Sequence, residues 1–180
     1  MKTLTKEMQT SISPSMALDL LKDGNKRFIN NLKFNRNLLQ MANETSDGQH
    51  PFAVILSCID SRTSAELIFD QGIGDIFSIR IAGNVVNEDI LGSMEFGCKV
   101  AGSKIIVVLG HTKCGAVKGA CDNVELGNLT SLIHKIKPAV DQEDTVNENR
   151  NSSNSIFVEK VAELNVAVSV KNILLHSPII

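Results

Sequence analysis

Three short apolar runs constrain this chain more than any other feature: "FAVILS" at 52–57, "DIFSIRIAG" at 75–83 and "KIIVVLG" at 104–110. The first and third are continuous rather than alternating, as in strands buried on both faces. Between the runs lie two segments of helical character, "SAELIFDQG" at 64–72 and "EDILGSMEFGCKVAG" at 88–102. The second carries Ile90, Leu91, Met94 and Cys98 at helical spacing. Strands alternating with helices imply an α/β fold: a central, mainly parallel sheet flanked by helices and joined by right-handed crossovers. The expected core order is 2-1-3.

Helices are expected on either side of this core. Residues 14–30 place Leu18, Leu21 and Phe28 on one face, with Ser13-Pro14 as a start signal. Residues 31–50 are polar and read as loop. Beyond the third strand, 115–123 and 129–140 are helical and broken by Pro138, 141–155 is a polar and mobile connection, and 156–177 is a long amphipathic helix. The chain is expected to form one domain: an N-terminal helical arm and loop (1–50), an α/β core with the site (51–140), the polar loop (141–155) and a C-terminal helix (156–180).

Bulk properties exclude several function classes. A net charge of −2 gives no reason to expect nucleic acid. No stretch approaches the roughly 18 apolar residues of a membrane span. "MKTLTKEMQTSISPSM" lacks a secretory signal core, so a cytoplasmic protein is expected. The four cysteines are too few for a disulfide framework and point to packing, metal binding or nucleophilic roles.

The chemistry gathers at two strand ends. The first strand runs into Cys58-Ile59-Asp60-Ser61-Arg62 and the third into Gly110-His111-Thr112-Lys113-Cys114-Gly115. Ligands of open α/β sheets bind beyond the carboxyl ends of strands, where the strand order reverses. With the first and third strands as neighbours, Cys58, His111 and Cys114 converge. Two thiolates and an imidazole suit Zn²⁺, and three protein ligands leave a fourth position open for water. Asp60 is placed to accept that water's proton in a hydrogen bond, with Arg62 holding the carboxylate in a charge-assisted pair. Each piece alone has a plainer reading: a packed cysteine, a loop histidine, a surface salt bridge. Their joint occurrence decides for a metal. Cys98 and Cys121 lie in helical patterns and read as core or surface thiols, while His134 and His176 carry no assigned role.

"CIDSR", followed about fifty residues later by "GHTKCGAVKGA", resembles the C-x-D-x-R and H-x-x-C signature of the β-class carbonic anhydrases. "ALDLLKDGNKRF" (17–28) is similar to that family's N-terminal helix, and "GDIFSIRIAGNVV" (74–86) to its second strand and turn. The resemblance implies Zn²⁺ on Cys58, His111 and Cys114, an Asp60–Arg62 dyad, and reversible hydration of CO₂ to bicarbonate and a proton. It also implies a substrate-binding amide at Gln49, a helping backbone N–H at Gly115, and Phe77 and Ala82 lining an apolar CO₂ pocket across the interface of a homodimer or homotetramer. Closure of Asp60 onto the metal as a fourth ligand stays open. A bicarbonate-inhibited form using tryptophan and tyrosine does not, because the chain has neither residue. His50 is a candidate proton shuttle.

Two departures stand out. Arg80-Ile81-Ala82-Gly83-Asn84 replaces the family's R-N-A-G-N or R-N-V-A-N, and the sequence ends at Ile180, before the last strand that members carry. The alternatives are turnover of CS₂ or COS on the same site, and an inactive zinc-binding protein acting by assembly. The intact Asp60–Arg62 pair counts against the second.

Overall fold

Residues 3–180 are described by a computed structural model built around a three-stranded parallel sheet. Helices α1 (Lys6–Ser11), α2 (Pro14–Ile29) and α3 (Leu38–Glu44) precede strand β1 (Ala53–Ser57). Helix α4 (Ala65–Ile68) leads to β2 (Ile76–Arg80), and α5 (Glu88–Glu95) leads to β3 (Ile105–Leu109). Helices α6 (Gly115–Cys121), α7 (Gly127–Ile133), α8 (Lys137–Gln142) and α9 (Ser155–His176) follow.

The sheet order is β2-β1-β3, as the sequence implied, and both pairings are parallel. Ser57 lies level with Arg80 on one side and Leu109 on the other. All three strands therefore end together, and the loops that follow them emerge side by side.

The continuous apolar run of β1 serves two faces at once. Ala53 and Ile55 pack with Ala17 and Leu21 of α2, while Val54 and Leu56 pack with Ile90, Leu91 and Met94 of α5 and Ile173 of α9. Fully burying each of the larger side chains contributes about 1.5–3 kcal/mol. A third cluster lies past the strand ends, where Val117, Ile136, Phe157 and Val161 surround Cys58 and Cys114.

Several local expectations are corrected. On α2 the buried residues are Ala17, Leu21 and Gly24, whereas Leu18 and Phe28 are exposed. The helix approaches α4 so closely that a Cβ on Gly24 would lie 1.7 Å from the Phe69 carbonyl oxygen, which selects small residues for the contact stripe. The segment 31–50 is not all loop. Asn37 accepts from the Gln40 N–H and starts α3, as Thr5 accepts from Met8 and starts α1. Pro138 opens α8 instead of breaking a helix, since a first-turn proline lacks only an N–H that had no helical partner.

The polar connection is organised rather than loose. Glu143 is buried and accepts from the N–H groups of Thr145 and Val146, and the Arg150 guanidinium sits 4.7 Å over the Phe157 ring. Finally, α9 is apolar on more than one face: Phe157, Val161 and Val168 are buried, yet Ile156, Val170, Leu174 and Leu175 are exposed.

Candidate metal centre

The level strand ends deliver two loops to one place. Cys58 follows β1 directly and is 4% exposed. After β3 the chain passes through His111, reverses at Lys113 with a φ of 57°, and enters α6 at Cys114. The sulfurs of Cys58 and Cys114 are 3.9 Å apart, and one ligand atom from each of Cys58, His111 and Cys114 lies within 4.8 Å of the others.

The donor set fits zinc. Two sulfurs on a tetrahedral metal at about 2.3 Å stand about 3.8 Å apart, close to the separation seen. His111 Nδ1 lies 2.9 Å from the Thr112 carbonyl oxygen, which assigns the ring proton to Nδ1. Nε2 then keeps its lone pair, is buried, and has no hydrogen-bond partner. An orphaned imidazole nitrogen facing two thiols is what a bound Zn²⁺ would satisfy.

Burial pushes the Cys114 thiol above its ordinary value, and the neighbouring Cys58 adds to this. The N–H groups of Val117 and Ala116 at the start of α6 act in the opposite direction. Cys58 Sγ accepts from the Gly83 N–H at 3.3 Å. Gly83 has a φ of 68°, and a Cβ there would lie 2.6 Å from Ile136 Cδ1, so glycine is favoured at this position.

Asp60 is gripped as a fork. Arg62 Nε donates to Oδ1 at 2.9 Å, Nη2 donates to Oδ2 at 2.7 Å, and the Arg62 N–H adds a third bond to Oδ1 at 3.0 Å. The Arg62 hydrogen bonds hold the Asp60 carboxyl well below the usual carboxylate range. Asp60 Oδ2 lies 4.0 Å from His111 Nε2, so the ionised carboxylate borders the metal position.

The carbonic anhydrase family model matches residues 53–180. The chain belongs to the β-class carbonic anhydrases. Over 134 residues it is 37% identical to a carbonic anhydrase of Mycolicibacterium smegmatis, an alignment covering 71% of this chain and 65% of that relative. The chain thus spans just under two thirds of the length of this relative. It superposes on the β-carbonic anhydrase of the fungal pathogen Aspergillus fumigatus with a TM-score of 0.65 at 28% identity, over 88% of this chain and 74% of the other. A tetrameric β-carbonic anhydrase from the ascomycete Sordaria macrospora shares the fold, with a TM-score of 0.64 at 23% identity over 91% of this chain and 80% of that one.

The remaining sequence candidates are dispersed. Gly115 is exposed beside Cys114, and Ala82 begins the turn that touches Cys58. The Phe77 ring packs edge-on to Phe96 with centroids 6.3 Å apart, on the α5 side of the sheet. Gln49 is exposed and His50 partly buried; both precede β1, at the end of the strand opposite Cys58. Cys98 and Cys121 lie outside the ligand cluster, and burial pushes the Cys121 thiol up to about 11.

Three supporting residues escaped the sequence reading. Arg80 Nε donates to the Cys58 carbonyl at 3.0 Å and Nη2 to the Asp60 carbonyl at 2.6 Å, tying the 58–62 loop to β2. Asn165 Nδ2 donates to the Gly83 carbonyl at 2.7 Å, and Ser169 Oγ donates to the Asn84 carbonyl at 3.0 Å. The available signal was a polar pair one helical turn apart inside the apolar stretch "VAELNVAVSV".

Proposed function

We propose that this chain catalyses the reversible hydration of CO₂ to bicarbonate and a proton, using Zn²⁺ held by Cys58, His111 and Cys114. The observation that carries the proposal is the three-ligand cluster within 4.8 Å, bordered by a carboxylate that Arg62 keeps ionised. When bound, the metal polarises a water at the position the protein leaves open and makes it nucleophilic near neutral pH.

Asp60 supplies direction. As an ionised acceptor it takes a hydrogen bond from the water, which turns a lone pair of the water oxygen towards the CO₂ carbon. A C–O bond forms, one C=O pair passes to oxygen, and a proton is lost. Asp60 cannot store that proton because Arg62 keeps its carboxyl too acidic, so the proton passes to solvent or buffer. On this reading the N–H of Gly115, an exposed residue beside Cys114, bonds an oxygen of substrate or product.

Gln49 and His50 act, on this reading, across an interface. The length of β1 separates them from their own Cys58, so a second copy must receive Gln49 as substrate-binding amide and His50 as proton acceptor. Phe77 and Ala82 belong to the same interface as walls of the CO₂ pocket. Support comes from β2, which is an edge strand flanked by the exposed Leu67 and Ile73. We therefore propose a homodimer, or a homotetramer as in the Sordaria relative. Among the described residues no helix is long and apolar enough to cross a membrane, and we place the enzyme in the cytoplasm.

Stopped-flow CO₂ hydration by zinc-loaded protein tests the proposal. Hydration by the parent protein that collapses in Asp60→Ala supports it. Turnover of CS₂ or COS in place of CO₂ would change the substrate, and zinc without turnover of any of them would leave a protein of assembly.

A further inference from the structure

We propose that Asn165 and Ser169 of α9 are positioning residues that set the Gly83 N–H on the Cys58 sulfur and so govern how that sulfur holds the metal. The inference rests on the zinc reading above and extends it to residues that touch neither metal nor substrate.

The turn at 82–84 has consecutive left-handed residues, Gly83 at a φ of 68° and Asn84 at 43°. Asparagine takes this region more readily than most L-residues, and hydrogen bonds to the carbonyls of the turn fix it there. Here α9 supplies them. Asn165 donates to the Gly83 carbonyl and Ser169 to the Asn84 carbonyl, and the two donors are 1% and 2% exposed. Asn165 fixes the 83–84 peptide group, adjacent to the one whose N–H reaches Cys58 Sγ at 3.3 Å, and Ser169 fixes the next one along, 84–85.

The same side of α9 also abuts the other ligand loop. A Cβ on Gly110, the residue before His111, would lie 2.6 Å from Val166 Cγ2. One helix thus braces the approach to Cys58 and the approach to His111. Packing alone does not account for the polarity at position 165. Asn165 Oδ1 is buried without a hydrogen-bond partner, an unfavourable state that an apolar residue of similar size would avoid.

An N–H donated to a metal-bound thiolate withdraws charge from sulfur and fixes its direction. Groups hydrogen-bonded to a ligand commonly change metal affinity by about 10- to 100-fold when lost, and Asn165 and Ser169 act one and two peptide groups behind such a partner, so the lower end of that range is expected.

The test uses the full chain loaded with Co²⁺, whose thiolate-to-metal charge-transfer band reports the sulfur directly, together with zinc competition against a chromophoric chelator. Ser169→Ala and Asn165→Leu are expected to move the band to lower energy and weaken zinc binding by roughly 10-fold. Ser169→Thr, which keeps the hydroxyl, is expected to restore both. Ser177→Ala is the structural control: it removes a 2.7 Å hydrogen bond to Glu95 at the far end of α9 and should move neither readout.

An unchanged band and affinity in folded Ser169→Ala would overturn the inference, as would equal shifts in Ser177→Ala. If Asn165→Leu fails to fold, Ser169→Ala decides alone. These failures differ from failure of the zinc reading itself, which would appear as no thiolate band in the parent protein and would remove the inference with it.

Discussion

Asp60 shows how much a single partner sets a residue's task. Its carboxylate borders the His111 imidazole, yet Arg62 takes both oxygens and the Arg62 N–H takes one again. A carboxylate so held stays an acceptor below the pH range in which carboxylates ordinarily protonate. The pH dependence of turnover is therefore expected to come from the water it orients. Asp60→Asn, which can turn an NH₂ towards that water, is expected to lower kcat/KM by about 100-fold or more, within the span of acid–base and orienting effects. A stopped-flow pH profile of the variant checks this: an unchanged rate would remove Asp60 from the mechanism.

At the scale of elements, two of the contacts that join the N-terminal helices to the rest of the fold carry predictions. The first is the approach of α2 to α4 at Gly24. Alanine would ordinarily favour a helix over glycine by up to about 1 kcal/mol. Here the added Cβ would lie 1.7 Å from a backbone oxygen, which cannot rotate away. Gly24→Ala is expected to lose about 1–3 kcal/mol in urea unfolding, as overpacking does; a gain would mean that α2 slides freely on α4.

The second contact is Asp70, 5% exposed, which accepts from Arg27, Arg36 and the Phe34 N–H. Burial raises its pKa, but the hydrogen bonds from Arg27 and Arg36 outweigh burial and leave it below the ordinary value. A lowered folded pKa gives stability that is complete above the unfolded value of about 3.9 and is lost as pH falls through the folded one. The urea midpoint of the parent protein is expected to fall more steeply under acid, from about pH 5 to pH 3, than that of Asp70→Asn. At neutral pH that variant is expected to be less stable by about 3–5 kcal/mol, because it leaves two arginines short of a buried anion. Equal acid slopes would assign the pH dependence to other carboxylates.

At the scale of the whole molecule, the sheet has two open edges among the described residues, β2 and β3. Along β3 lies a groove of 340 Å³ lined by Ile106, Val108, Val170, Leu174 and Ile180. Edges bounded by apolar side chains favour pairing with further chain. Sedimentation velocity at micromolar concentration is expected to show a dimer or larger. In that state Gln49→Ala is expected to raise KM for CO₂ while leaving metal content unchanged. A monomer that is fully active and indifferent to Gln49→Ala would place the whole site within one chain.

The local chemistry of this protein was legible in short words of sequence. Three apolar runs separated by helical segments imply a parallel sheet, because strands buried on both faces need helices above and below. Cys58, His111 and Cys114 were legible because strand ends in such sheets converge, and the register that sets Ser57 beside Leu109 is a consequence of that pattern. What only the tertiary structure decided is long in sequence and short in space. Arg80 reaches back 22 positions to the Cys58 carbonyl, and Asn165 reaches back 82 to Gly83. Nothing near either residue in the chain announces its partner. The same holds for the exposed faces of α9, since which side of an apolar helix is covered follows from packing that periodicity cannot express.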